Sequence, residues 1–280
     1  TPEGRKDYLA RGGVILTTGG YGANEAMVDK YIGPWASRLI VRGSPWITGE
    51  NILMAEEVQA LLVNMDQFYA GPITPTGHCN PSPLMHAGYG IQVNTKGKRF
   101  VPETWLQVPK AKAIAERTED NRSFMLIGAD ADKNAQILTN TIKRFARLGF
   151  EVIKADTIEE AAKKAGVPEK NLVETVREFN AAVKAGKAKE LDPPYDYDEP
   201  HALETGPFYM IPAAGGMAST FGGPKINKDA QVVNFERRPI PGLYAAGAAA
   251  GGVWVYDDIG GNQLGGGMVF GRVAARHAAG

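Results

Sequence analysis

The segment Ile240–Ala279, IPGLYAAGAAAGGVWVYDDIGGNQLGGGMVFGRVAARHAA, constrains the fold of this chain more than any other. It joins a short apolar strand, GLYAAG, to a helix through a stretch nearly free of bulky side chains. Ala245, Ala246, Gly247 and Ala248 strip side chains from the point where the strand ends, which lets something bulky pass close to the backbone. The helix opening at GGNQLGGG leaves unpaired N–H groups and a positive dipole end in its first turn, a setting that suits a partly negative oxygen.

The rest of the composition narrows the class. The 34 glycines among 280 residues cluster at a few such points instead of spreading as in a linker. With 31 basic and 31 acidic residues there is no net charge to draw the chain to nucleic acid or a membrane surface. Cys79 is the single cysteine, so no intramolecular disulfide forms, and a reducing, cytoplasmic setting is expected. No apolar run approaches the roughly 18 residues of a membrane helix. The chain opens at Thr1 with neither methionine nor signal peptide, which reads as a processed, truncated or fragmentary chain.

Along the chain, GGVILTT (12–18) reads as a buried strand running into the glycine turn GGYGAN. NEAMVDKYI and TGENILMAEEVQALLV read as helices, the second with Thr48 as N-cap, and NMDQFYAG as a strand. The proline- and glycine-rich span 71–90 is a loop, and IQVNTKGKRFVPE a hairpin around Lys96-Gly97. From Asp130 to Lys187 the pattern is helical, with starts at Thr157 and at 168–171, and 187–200 forms a boundary. Short strands and glycine turns then return. Strand-and-glycine segments on both sides of a helical insert predict one α/β domain split in sequence by another.

A flat heterocycle with carbonyl oxygens, a flavin above all, fits between the small-residue strand end and the helix start. The residues alone equally allow plain packing of a helix on a strand. His78, Cys79 and His86 share one loop, but their spacing matches no common zinc pattern, so no metal site is expected. Asp257 and Asp258 read as turn formers before glycine.

ARGGVILTTGGYGANEAMVDKY, TGENILMAEEVQA, VNTKGKRFVPE, FNAAVKAG and IPGLYAAG...GGNQLGGGMVFGRVAA occur in the order and approximate spacing of the fumarate reductase/succinate dehydrogenase flavoprotein-like family, which the chain resembles over nearly its whole length. The resemblance implies an α/β fold in which a partial Rossmann-type FAD-binding domain (1–69 and 205–280) is interrupted by an α+β capping domain (70–204). It further implies FAD as cofactor and a substrate held between cap and isoalloxazine. The G-x-G-x-x-G unit that opens such domains does not precede Gly12, so a separate N-terminal FAD-binding segment or subunit is expected as a partner. The flavin contacts fall on Gly19, Gly20, Ala246, Gly247, Ala248, Asn262, Gln263, Leu264, Gly265 and Gly266.

Fumarate-type members grip two carboxylates with histidines and arginines. The matching positions here hold Gly71, Gln107, Ala218, Ser219 and Asp258, which disfavours a dicarboxylate. The chain is similar to the ketosteroid dehydrogenases of the family in placing Tyr256 ahead of Gly260 and Gly261. On that resemblance the Tyr256 hydroxyl and the Gly260 N–H polarise a ketone, and Tyr89 is the candidate base. The implied function is FAD-dependent dehydrogenation α,β to a carbonyl of a ketosteroid-like or alicyclic substrate, or the reverse ene reduction. The alternative is a non-catalytic fragment that contributes only cap and flavin surface. The electron partner is not indicated.

Overall fold

The computed structural model describes residues 4–76, 90–129, 137–150, 152–255 and 262–280. In chain order its elements are β1 (Val14–Leu16), α1 (Glu25–Tyr31), β2 (Ile40–Val41), α2 (Glu50–Glu57), β3 (Leu62–Val63), β4 (Phe68–Ile73) and β5 (Gly90–Asn94). There follow α3 (Gln107–Arg117), β6 (Ser123–Ile127), α4 (Ile137–Arg147), β7 (Ile153–Ala155), α5 (Ile158–Ala165) and α6 (Glu169–Lys184). The chain finishes with β8 (Phe208–Thr220), β9 (Gly223–Pro224), β10 (Gln231–Val233), β11 (Pro239–Ala245) and α7 (Asn262–Ala279). These form two compact units, one of residues 1–34, 43–69 and 218–280, the other of 35–42 and 70–217.

In the first unit β1 runs parallel to β11 with Val14 opposite Leu243 and Leu16 opposite Ala245, and β10 lies antiparallel on the far side of β11. Leu16, Val232 and Ala245 pack with Ala55 of α2, whereas Tyr244, Ala230 and Ile15 pack with Phe270, Val273 and Ala274 of α7. Alternate residues of β11 thus serve opposite layers, the period-two consequence of the pleat. Helix layers on both faces of a parallel pair make this an α/β arrangement. The Asn24 side chain caps α1 by accepting from Met27 N at 3.1 Å. Thr48 does not cap α2: the helix begins at Glu50 after Gly49 in a left-handed conformation (φ 90°), and the Thr48 hydroxyl donates to the Glu50 carboxylate instead.

In the second unit β8 is central, antiparallel to β6 on one edge (Ser123 opposite Ala213) and to β7 on the other (Ile153 opposite Met210). Leu126, Phe208 and Met210 face a core shared with Ala161, Ala162, Leu172, Val176 and Phe179 of α5 and α6. Met125, Ile127, Ile211 and Ala213 face Phe145 of α4 on the other side. Thr157 caps α5 by accepting from Glu160 N at 3.1 Å, and Gly166 ends it with φ 68°. The expected hairpin around Lys96-Gly97 is a tight turn whose returning limb makes one bridge, Arg99 to Val93, while the strand paired along β5 is β6. Helix α3 and strand β6 lie where the sequence suggested no element.

Candidate functional site

The site grows out of the end of β11. After Ala245 the Ala246 N–H donates to Leu16 O at 3.1 Å, and the chain then turns through a short 3-10 segment, Gly247–Ala249. Gly247 takes the left-handed conformation, φ 68°, that the turn requires. Helix α7 lies against this turn. A Cβ built on Gly267 would sit 3.7 Å from Gly247 Cα, and one on Gly271 would sit 4.0 Å from Ala246 Cβ. These two glycines, one helical turn apart, let helix and strand end meet backbone to backbone.

The neighbouring glycines have other surroundings. A Cβ on Gly266 would approach Trp254 Cζ2 to 2.6 Å, whereas one on Gly265 would meet nothing within 4 Å. Gly19 (φ 86°) faces Ile47, with Cγ2 2.9 Å from its ideal Cβ, and a Cβ on Gly20 would collide with Thr220 Oγ1. That hydroxyl accepts from Tyr21 N at 3.0 Å. Tyr21 is fully buried, donates its hydroxyl to Met65 O, and has its phenol pushed well above the usual tyrosine range by that burial.

Two buried polar atoms of this unit have no hydrogen-bond partner among the described residues. Asn51, fully buried on α2, donates from Nδ2 to Ala249 O at 2.9 Å, and its Oδ1 has no hydrogen bond. Gln263, in the first turn of α7, buries an Nε2 that is likewise unsatisfied. Ala246 is buried, Gly247, Ala248, Gly265 and Gly266 are half-buried, and Leu264 is 75% exposed. Open space over Gly265 and a strand end and turn free of bulky side chains leave room for a flat heteroaromatic ring at the helix start, whose first-turn N–H groups suit its carbonyl oxygens. The expected contacts Tyr256, Tyr89 and Gly260, with Asp257, Asp258 and the loop holding His78, Cys79 and His86, lie outside the described residues, as does the side chain of Asn262. Among the described residues no cluster of three or more His, Cys, Asp or Glu is arranged to hold a metal ion.

In the second unit the structure brings Gly71 and Gln107 together: the Gln107 side chain packs over Gly71, with Oε1 2.9 Å from where a Cβ would be. Ser219, in the first unit, turns its hydroxyl to the carbonyl of Thr220 at 3.3 Å. One helical turn beyond Gln107 lies Lys110, only 1% exposed, its amine pushed down to about 8 by desolvation against an opposing pull from Glu103. Sequence reasoning missed both Asn51 and Lys110. The signal was present: a polar residue early in TGENILMAEE and a lysine flanked by helix-core alanines in PKAKAIA.

Comparison with known proteins gives these features a family. The chain matches the FAD binding domain family over residues 1–264. It is 33% identical to the NADH:acrylate oxidoreductase of Vibrio harveyi, over 95% of this chain and 26% of that protein. The open conformation of a flavocytochrome c3 fumarate reductase superposes with a TM-score of 0.77 at 30% identity, covering 95% of this chain and 46% of that one. The 3-ketosteroid delta1-dehydrogenase of Sterolibacterium denitrificans, in complex with 1,4-androstadiene-3,17-dione, gives a TM-score of 0.71 at 27% identity, covering 96% and 53%. The chain thus spans from about a quarter to about half the length of these relatives. With a glycine-lined strand end, a helix start bearing an orphan donor, and a match along nearly all of its length, the chain belongs to the FAD-binding-domain family and its cofactor is FAD.

Proposed function

We propose that this chain is the flavin-contacting and capping part of an FAD-dependent oxidoreductase that acts on a C–C bond α,β to a carbonyl. Residues 1–69 and 205–280 supply the flavin-binding side and 70–204 the cap. FAD, when bound, supplies the hydride acceptor or donor. The protein's part is to polarise the substrate: the Tyr256 hydroxyl and the Gly260 N–H donate to the ketone oxygen, which acidifies the α C–H for removal by Tyr89. The observation that carries this reading is the residue set where related dicarboxylate enzymes hold cations. In the sequence, Gly71, Gln107, Ala218, Ser219 and Asp258 stand at those positions, none of them positively charged. Each charge-assisted hydrogen bond so lost is worth about 1.5–3 kcal/mol.

The remaining flavin contacts come from an N-terminal segment of a longer polypeptide or from a second subunit. Two features support such a partner. Among the described residues β1 is paired on one edge alone, and α7 presents Leu264, Met268 and Val269 at 75%, 71% and 58% exposure. No described helix is long and apolar enough to cross a membrane, and the lone cysteine suits the cytoplasm.

A second reading, reduction of an α,β-unsaturated monocarboxylate, draws on Lys110, an ionisable amine one turn from Gln107, and on the likeness to an acrylate oxidoreductase. Reoxidation of the dithionite-reduced holoprotein by cyclic enones, acrylate and fumarate separates the readings. Enone turnover with inert fumarate supports the first, acrylate turnover without enone turnover the second, and rapid fumarate turnover refutes both. Tyr256→Phe is expected to slow the enone reaction by roughly two to three orders of magnitude with flavin content intact.

A further inference from the structure

A cleft of about 660 Å³ opens in the second unit between α6, the start of α5 and the segment that leads into β8. Helix α6 shows two faces there. Leu172, Thr175, Val176 and Phe179 bury into the core, whereas Val173, Arg177, Asn180, Ala181 and Lys184, spaced i, i+4, i+7, i+8 and i+11, line the cleft. The opposite wall is pinned in place. Asn180 donates from Nδ2 to Leu203 O at 2.9 Å and accepts from Leu203 N at 2.7 Å, and Ala129 N donates to Thr205 O at 3.2 Å. A Cβ on Gly206 would come 2.6 Å from Asp156 O, so this segment and the leader of α5 meet backbone to backbone. The cleft is therefore shaped before any ligand arrives, and its volume falls within the roughly 300–1,000 Å³ of small-molecule sites.

Its floor is apolar: Val176, Leu203 and Phe208 border it at 4%, 3% and 5% exposure. Of the five charged side chains on the lining, three are engaged, Lys184 with Glu204 and Arg177 with Glu174. Asp156 and Glu159 are left over. The cap of α5 uses the Thr157 hydroxyl and the Glu160 carboxylate, which accepts from Asp156 N at 2.8 Å and pairs with Lys164. The Asp156 and Glu159 carboxylates take no part in it, and neither has a hydrogen bond or an ion pair among the described residues. Two uncompensated carboxylates on the rim attract a positive charge and repel a negative one, while the floor gains only from an apolar body. We infer that this cleft binds a small organic cation, a primary ammonium on a ring-sized apolar body, with the body over Val176, Leu203 and Phe208 and the ammonium at Asp156 and Glu159. All of these residues belong to the second unit, so the inference does not rest on the FAD reading. With 31 basic and 31 acidic residues the chain has no overall preference for cations, and selectivity for one reports the cleft.

The test is calorimetric titration of the holoprotein with three probes: phenethylammonium, its near-isosteric anion 3-phenylpropionate, and ethylammonium, which keeps the charge and lacks the ring. Phenethylammonium is expected to bind about tenfold more tightly than either of the others. Its affinity is expected to fall severalfold between about 50 and 500 mM NaCl, because both carboxylates are exposed to screening. Asp156→Asn combined with Glu159→Gln is expected to weaken it about tenfold. Ala181→Phe, at an exposed position on the wall, places a ring in the cleft and is expected to abolish binding with the unfolding midpoint unchanged. Equal affinity for phenethylammonium and 3-phenylpropionate overturns the charge assignment. Undiminished binding in Ala181→Phe puts the amine outside this cleft, and a wild-type protein that takes up no phenethylammonium at about 10 mM overturns the site itself. Self-association that Ala181→Phe removes, without amine binding, gives the cleft to a second copy of the chain and overturns the inference as well.

Discussion

In the second unit, the fully buried Glu103 carboxylate accepts from Arg99 Nε at 2.9 Å and Nη2 at 2.6 Å and from Gln92 N at 3.0 Å. The Arg99 guanidinium lies 5.6 Å from the ring centroid of Tyr195 and 5.8 Å from that of Phe179. The Tyr195 and Tyr197 hydroxyls donate to Gly90 O and Glu103 O at 3.1 and 3.0 Å. In the first unit, Asn51 Oδ1 and Gln263 Nε2 are buried without a hydrogen bond among the described residues, Asn51 beside a turn that has shed its side chains. Both regions bury polar groups against the same desolvation cost. One closes its hydrogen bonds inside the protein and so holds β5 to the turn that follows it. The other leaves one amide atom of each side chain without a hydrogen bond among the described residues. Gln92 Oε1 is the one described orphan in the second unit, and nothing in the structure explains it.

Glu103→Ala gives the largest expected effect because it strands the Arg99 charge, whose side chain is 6% exposed. A loss of about 3–5 kcal/mol in urea unfolding is expected. A loss below about 1 kcal/mol erases the contrast between a closed network and an open one.

Lys110→Met is expected to act in the opposite direction. Burial lowers the folded-state amine from 10.5 to about 8, so between these values the unfolded chain binds more protons and stability rises with pH. The penalty, at most about 3 kcal/mol, is complete below the folded value and gone above the unfolded one. Lys110→Met therefore gains about 1–3 kcal/mol at pH 7 and little near pH 10.5, which unfolding at the two pH values measures. An equal gain at both assigns the effect to packing.

Gly266→Val and Gly265→Val, on adjacent residues of α7, separate packing from ligand space. The first drives a side chain into Trp254 and is expected to cost about 1–3 kcal/mol. The second enters open space, with stability within about 0.5 kcal/mol of the parent and flavin retention lost. Normal flavin content in Gly265→Val removes the ring from this place.

Several elements were legible because their signals are local. Thr157 caps α5, Gly166 stops it with a positive φ, and the Asn94–Lys98 turn forms around Gly97 at φ 75°. Helix α3 was not legible: Leu106 offers it no capping side chain, Pro109, which the first turn tolerates because its N–H would have no intrahelical partner there, reads as a breaker in the sequence, and a lysine occupies a core position. Strand β6, SFMLI, carries an apolar run that fits a helix or a strand equally. It becomes a strand because β5 and β8, distant in sequence, lie on its two sides.

The same division holds at the candidate site. By itself the sequence determined that a strand ends in small residues and that a glycine-rich helix follows, since backbone freedom and missing side chains are properties of each residue. It also carried the ordered motifs that identify an FAD-binding domain. Only the tertiary structure decided which glycine does which work: Gly267 and Gly271 admit the strand end, Gly266 admits Trp254, and Gly265 faces open space. It likewise decided that Asn51, far from α7 in sequence, reaches the same turn with one amide end unpaired. Whether an absent side chain or an unpaired atom matters depends on what another element brings within a few ångströms of it, and no local sequence signal contains that distance.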